Sequence, residues 1–267
     1  MTGPPSVFAA LEQEAEQVDR LLDGLDAPRW ALPTPAPGWT IAHQVAHLTA
    51  TFRMAGLAAA DPQAFTALTS RLSPDFDANV EHAMRPFLAD PPEVLLHRWR
   101  EERKSAVVAL AAVPAEQVVP WLVRPLPPGV LAAAGMMELF GHGQDIADAL
   151  GARREPGDRL GHLVGFAVRT WDFGYLARGA TAPDEPFRFE ITGPSGVRWD
   201  FGPEDATERI TGPAEDFCLL VTRRRHHSDL AVRAEGAAAE HWLEIAQAYR
   251  GPAGQGRAPG QFTPARA

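Results

Sequence analysis

Two apolar stretches of this chain contain side chains that an apolar core does not need. In "GWTIAHQVAHLTATF", residues 38–52, His43 and His47 stand four positions apart, one turn of a helix. In "MMELFGHGQDIADAL", residues 136–150, Glu138 and His142 repeat that spacing, and Glu138 is the only charged residue between Arg124 and Asp145. A buried neutral imidazole needs partners for both ring nitrogens. A lone carboxylate among Met136, Met137, Leu139 and Phe140 is costly to bury. A divalent cation answers both demands. One helix supplying His47 and another supplying Glu138 and His142 would form a three-ligand N/N/O site with an open fourth position, the arrangement of a catalytic zinc centre. His43 is then a reserve ligand or an outer group, and Asp145, about one turn past His142, could orient a ligand. Each pair alone has a plainer reading: a polar stripe for His-x-x-x-His, a helical ion-pair spacing for Glu-x-x-x-His.

The elements that must position these residues are mostly helices. Residues 6–25 place Val7, Leu11, Val18 and Leu22 at helical spacing behind a capping Ser6. "APRWALPTPAPGW" is a proline-rich connector that cannot continue a helix. Thr40 opens a second helix to about Ala60, with Ile41, Val45, Leu48 and Phe52 on one stripe and Arg53 its only charge. Residues 61–89 read as a short helix and a long loop. "DPP" at 90–92 starts a helix through Trp99 and Leu110, another runs from Pro128 to a stop at Gly151, and a fifth spans 158–178. From residue 183 the pattern changes. "FRFEIT" and "VRWDF" alternate around a "GPSG" turn, a hairpin. "ERITG" is a possible third strand, "PAEDFCLLVTRRR" a helix, "DLAVRAEG" a strand and "AAEHWLEIAQAYR" a closing helix. The expected domains are a helical one over 1–179, a small α+β one over 183–250 and a Gly/Pro-rich disordered tail over 251–267.

Composition narrows the function classes. The chain has 267 residues, 45% hydrophobic and 22% charged, with a formal net charge of −9. That acidity argues against a general nucleic-acid binder. No apolar run is long enough to span a bilayer, and the N-terminus has no secretion-signal pattern. Cys218 is the only cysteine, which excludes an intrachain disulfide and fits a cytoplasmic setting. There is no phosphate-binding glycine loop and no G-x-S-x-G elbow. "TRRRHH", residues 222–227, reads first as cations at a helix C-terminus and secondly as an anion clamp.

"GWTIAHQVAHL" followed by "MELFGHGQDIADALG" resembles the DinB-like metal-binding superfamily, in particular the mycothiol-dependent maleylpyruvate isomerase type. "ITGPAEDFCLLVTRRR…LAVRAEG" resembles more loosely the sterol-carrier-like α+β domain of that group. The resemblance implies a mainly α protein: an up-down four-helix bundle followed by the small α+β domain. It implies a divalent metal, zinc or alternatively nickel, on His47, Glu138 and His142, with His43 outside the usual ligand set. It places an arginine at about Arg224 for an anionic substrate. The partners it implies are a small-molecule substrate and a low-molecular-weight thiol, mycothiol, as cosubstrate, in a monomer or homodimer. The reaction would be a thiol-dependent isomerisation or S-transfer. A non-catalytic metal- or ligand-binding protein of the same fold stays open, as do histidines held only by hydrogen bonds.

Overall fold

The computed structural model describes residues 5–262 and divides into two compact units, Met1–Glu155 and Pro156–Ala267. The first unit contains α1 (Val7–Leu22), the short α2 (Ala27–Trp30), α3 (Ile41–Ala60), α4 (Pro62–Thr69), α5 (Phe76–Leu88), α6 (Pro92–Ala112) and α7 (Pro128–Leu150). Helix α3 packs against α6 and α7, and α1 against α7 and α6, forming a four-helix bundle; α4 and α5 lie along α3. Among the described residues, no helix is long and apolar enough to cross a membrane.

Local chemistry sets the helix ends. The Ser6 hydroxyl accepts from the Ala9 N–H at 3.3 Å, and the Asp61 carboxylate accepts from the Ala64 N–H at 3.0 Å, with Pro62 in the first turn of α4. Gly151, at φ 63°, ends α7. The stripe expected on α3 is the one the bundle buries: Ile41, Val45, Leu48 and Phe52 are all in the core, with Leu11, Val18, Met136 and Leu139. The Phe52 ring meets Trp99 edge-on, centroids 5.4 Å apart. Helices α3 and α6 come close at Gly56, where a Cβ would lie 3.2 Å from the Ala106 Cα.

Residues 61–89 differ from the expected short helix and long loop. They hold two helices, α4 and α5, and Pro86 sits inside α5. At the start of α6 the cap residue is Pro91, without a side-chain cap. Asp90 instead pairs with Arg98 at 3.1 Å.

The second unit contains α8 (Leu160–Arg169), α9 (Phe173–Leu176), β1 (Phe187–Thr192), β2 (Arg198–Phe201), β3 (Glu208–Pro213), α10 (Ala214–Val221), a 3₁₀ turn (His227–Asp229), β4 (Arg233–Glu235) and α11 (Ala237–Ile245). The sheet order is β2-β1-β3-β4, with β1 antiparallel to β2, parallel to β3, and β3 antiparallel to β4. Phe187, Phe189 and Ile191 alternate inward as the β1 pattern requires. Phe189 packs on Trp242 at 5.5 Å, and the Trp242 indole donates to the Trp171 carbonyl at 2.8 Å.

The division falls between Glu155 and Pro156, not near 180. The helix expected over 158–178 is broken at Thr170 into α8 and α9, and both count with the sheet. Periodicity could not show this, because the deciding contacts are long-range. A Cβ at Gly161 would lie 2.8 Å from the Trp199 ring of β2, and α8 also packs on α10. The expected α10 stops at Val221, before the arginines. The expected strand over 229–236 is ordered as β4 only across Arg233–Glu235. Of the expected disordered tail, residues 251–262 run back along this unit: the Gly260 N–H donates to the Asp229 carboxylate at 2.8 Å, and the Arg225 guanidinium lies 3.9 Å from the Phe262 ring centre. Residues 263–267 lie outside the described residues.

The Gly56 contact yields a test of the bundle. Gly56→Val must push α3 away from the α6 backbone, and we expect it to destabilise the protein by about 1–3 kcal/mol. Urea or guanidinium unfolding measures this, and an unchanged midpoint would show that the α3–α6 approach is not a constraint.

Candidate metal centre

His47 and Glu138 are presented by α3 and α7, which pack face to face in the bundle. His142 lies on α7 one turn beyond Glu138, so two elements position all three groups. Ligand atoms of His47, Glu138 and His142 lie within 4.8 Å of one another. Glu138 Oε2 is 3.4 Å from His47 Nε2 and 3.3 Å from His142 Nε2. Donor atoms on a tetrahedron with bonds of about 2.0–2.1 Å lie about 3.3–3.4 Å apart, so the two oxygen–nitrogen separations fit a zinc-sized ion bound through one carboxylate oxygen. The same separations make a weak hydrogen-bonded ion pair when protons occupy the imidazoles. The side chains of His47, Glu138 and His142 keep 18%, 24% and 14% of their surface exposed, so the cluster is half-buried and not sealed.

Burial of Glu138 opposes its ionisation. Hydrogen bonds from His142 and His47, and their positive charge when protonated, outweigh that penalty and hold the carboxyl well below the usual carboxylate range.

Gln44 orders the far side of His142. Its Oε1 lies 2.5 Å from His142 Nδ1, and its Nε2 donates to Thr34 Oγ1 at 2.8 Å and toward Asp145 Oδ2 at 3.5 Å. Both Gln44 and Asp145 are fully buried. The Thr34 hydroxyl gives its proton to the Trp39 carbonyl and so can only accept from Gln44, which puts the amide N–H₂ on that side and the amide oxygen toward His142. His142 Nδ1 therefore carries a proton, and in the neutral ring Nε2 presents its lone pair toward Glu138. Asp145 thus reaches the site through Gln44. Gln44 is absent from the sequence-based set of site residues. Its only signal was a neutral amide in the buried part of an apolar helix, which carries no chemical signature before its partners are known.

His43 is not part of the cluster. The Thr40 backbone N–H reaches its Nδ1 at 3.3 Å, and the Thr40 hydroxyl at 2.8 Å. His43 thus closes the N-terminus of α3 in the role an acidic or amide residue fills in a capping box. A backbone N–H can only donate, so Nδ1 is the acceptor here and is committed to the cap.

Trp39 was also missed. The proline-rich connector folds back on itself, with the Thr34 hydroxyl donating to the Trp39 carbonyl at 2.9 Å and the Ile41 N–H to the Leu32 carbonyl at 3.1 Å. This sets the Trp39 ring against His47 at 5.4 Å and stacked on His142 at 5.8 Å, so an aromatic wall flanks the two imidazoles. Arg224 belongs to the second unit, where its Nη1 donates to the Thr222 carbonyl at 2.6 Å; the His/Glu/His cluster lies wholly in the first.

Comparison with known proteins places this site in a family context. Residues 183–235 match a family model described as wyosine base formation. Two uncharacterized proteins of Mycobacterium tuberculosis, from strains CDC 1551 / Oshkosh and ATCC 25618 / H37Rv, are each 44% identical over 257 residues, covering 96% of this chain and all of theirs. Crystal structures of the mycothiol-dependent maleylpyruvate isomerase and of a mutant of it share the fold, with TM-scores of 0.54 and 0.55 at 16% identity, over 85% of this chain and 91% of theirs. Residues 11–147, which contain α3, α7 and every residue of the cluster, match the family model described as mycothiol maleylpyruvate isomerase N-terminal domain, and the chain belongs to that family.

Proposed function

We propose that this protein is a metal- and thiol-dependent enzyme of the cytoplasm, an isomerase or S-transferase, with His47, Glu138 and His142 holding a divalent ion and mycothiol as cosubstrate. The observation that carries this reading is the donor set itself: two imidazole nitrogens from two helices, each 3.3–3.4 Å from one carboxylate oxygen, with all three donor atoms within 4.8 Å of one another. The crystal structures that share the fold are of a mycothiol-dependent maleylpyruvate isomerase, which supports a thiol as cosubstrate. Bound at such a site, a zinc-like ion lowers the pKa of a coordinating thiol, and the thiolate is a nucleophile able to add reversibly to an activated double bond.

The chain's own residues prepare that chemistry. The Gln44 amide keeps the proton of His142 on Nδ1. Glu138, held ionised, is the one carboxylate among the three donors and offsets part of the charge of a dication. Trp39 covers the imidazoles on one side and limits water there. Three protein donors on a half-exposed cluster leave room for one exogenous ligand.

Four outcomes test this. Purified protein should carry about one zinc-class ion per chain, and Glu138→Ala or His142→Ala should lose it. Elemental analysis decides, and metal-free wild type would end the proposal. Chelation should lower the melting temperature and abolish mycothiol-dependent turnover, with both restored by metal; restored melting without turnover would identify a binding protein instead.

Gln44→Leu keeps the helix but frees His142 Nδ1, and we expect metal affinity to fall about 10–100-fold, read by competition with a chromogenic chelator. Equal affinity would remove Gln44 from the site.

In the metal-free protein, the depressed pKa of Glu138 makes its contribution fully present above the ordinary value of 4.5 and lost as pH falls through the lowered one. The stability advantage of wild type over Glu138→Gln should therefore shrink on acidification below about pH 4.5. Urea midpoints across that range measure it, and a gap that widened would contradict the assignment.

A further inference from the structure

The second half of α7 carries a support outside the His/Glu/His cluster. Four residues after α7 ends, Arg154 folds back along the helix, and its Nη1 donates to the Phe140 carbonyl at 2.8 Å. Its Nη2 pairs with the Glu14 carboxylate of α1. The guanidinium lies over the Phe140 ring, 5.0 Å from its centre. Phe140 is two positions from Glu138 and two from His142, which at about 100° per residue puts its side chain on the opposite side of α7 from both. One guanidinium therefore ties α7 to α1 behind the ligand pair.

Two observations make this tie more than packing. His142 stands between Gly141 and Gly143, and glycine weakens a helix interior relative to alanine. The turn that carries a ligand therefore holds its own shape weakly. Gly143 is also the residue that admits the guanidinium: a Cβ there would lie 3.3 Å from Arg154 Cζ and 3.0 Å from Val18 Cγ2 of α1. Local stiffness is given up where the outside support enters. The ion pair is also nearly sealed, with 7% of the Arg154 side chain and 1% of the Glu14 side chain exposed. Burying two charges costs desolvation that their attraction does not reliably return, so apolar residues of similar size would often stabilise such a core as well or better. What a buried pair can supply instead is a specific geometry.

We propose that Arg154 is a positioning residue of the metal centre: its fork on the Phe140 carbonyl and Glu14 fixes the turn of α7 that presents His142 to Glu138 and His47. The proposal rests on the metal reading of that cluster. Without the fork, α7 keeps its packing against α1 and α3, but the glycine-flanked turn is free to rotate, and the three donor atoms meet less often at coordinating distance.

The test uses the full chain. Glu14→Met combined with Arg154→Met removes both charges and keeps the core filled. Arg154→Lys keeps a charge beside Glu14 and loses the fork. Both should unfold cooperatively in urea and bind zinc at wild-type stoichiometry, but about tenfold or more weakly by competition with a chromogenic chelator. A second readout needs no metal. The His142 Nδ1 proton, bonded to Gln44, should give a protected proton resonance in wild type that is broadened or lost in both variants. If the double variant does not fold, Arg154→Lys carries the comparison. Wild-type zinc affinity, or an unchanged His142 resonance, in a folded variant overturns the proposal. A wild type that binds no zinc would instead end the metal reading, and the resonance would still decide whether Arg154 holds His142 in place.

Discussion

The carboxylate of Glu138 is the group on which the first unit's polar architecture turns. Its neighbours on α7 are Met136, Met137, Leu139 and Phe140, all buried, and an uncompensated charge in such a setting costs several kcal/mol. Two imidazoles supply the compensation, one from the same helix and one from α3. The second makes the site conditional on the packing of α3 against α7, and that packing is apolar: Leu48 and Phe52 on one helix, Met136 and Leu139 on the other, all in one core cluster. The hydrophobic face thus does more than hold the bundle together. It fixes the distance across which His47 meets Glu138.

Around that charge the polar groups form layers with a direction. The Thr34 hydroxyl, its proton given to the Trp39 carbonyl, can only accept; Gln44 transmits that constraint through its amide, and His142 receives it as a proton held on Nδ1. The two histidines one turn apart on α3 show how position decides role. His43 sits at the helix start, where backbone N–H groups lack intrahelical acceptors, and its Nδ1 is used there. His47, one turn inside, has no such demand beside it and faces Glu138. The proline-rich connector then brings Trp39 over the rings. Its prolines prevent a helix, and the hydrogen bonds between Thr34 and Trp39 give it a single shape.

The legible part of the site was the part whose chemistry is local. Two charged or imidazole pairs at four-residue spacing, and a carboxylate isolated in an apolar run, announce themselves along the chain. So does the stripe on α3, which the core buries as its period requires. Gln44 and Trp39 were illegible for a different reason: an amide and an indole acquire a role only from partners about a hundred residues away in Gln44's case and through a loop closure in Trp39's. The assignment of α8 failed on the same ground. Its amphipathic period says that one face is buried, and only the Trp199 ring at Gly161 says against what. The two helices within 61–89 were hidden by short length and by Pro86.

The oxygen–nitrogen separations in the cluster have a consequence for how such a site would load. The 3.3–3.4 Å distances serve a protonated, hydrogen-bonded cluster and a tetrahedral zinc-sized ion almost equally well. Exchange of protons for a cation then asks little rearrangement of the side chains, because the Gln44 amide already fixes the orientation of His142 and the Thr40 cap keeps His43 out of competition. Preorganisation of this kind lowers the ordering entropy that binding must overcome. It also gives a physical role to a buried amide and a buried carboxylate inside an apolar bundle: they restrain the orientation of His142 beside Glu138 and His47.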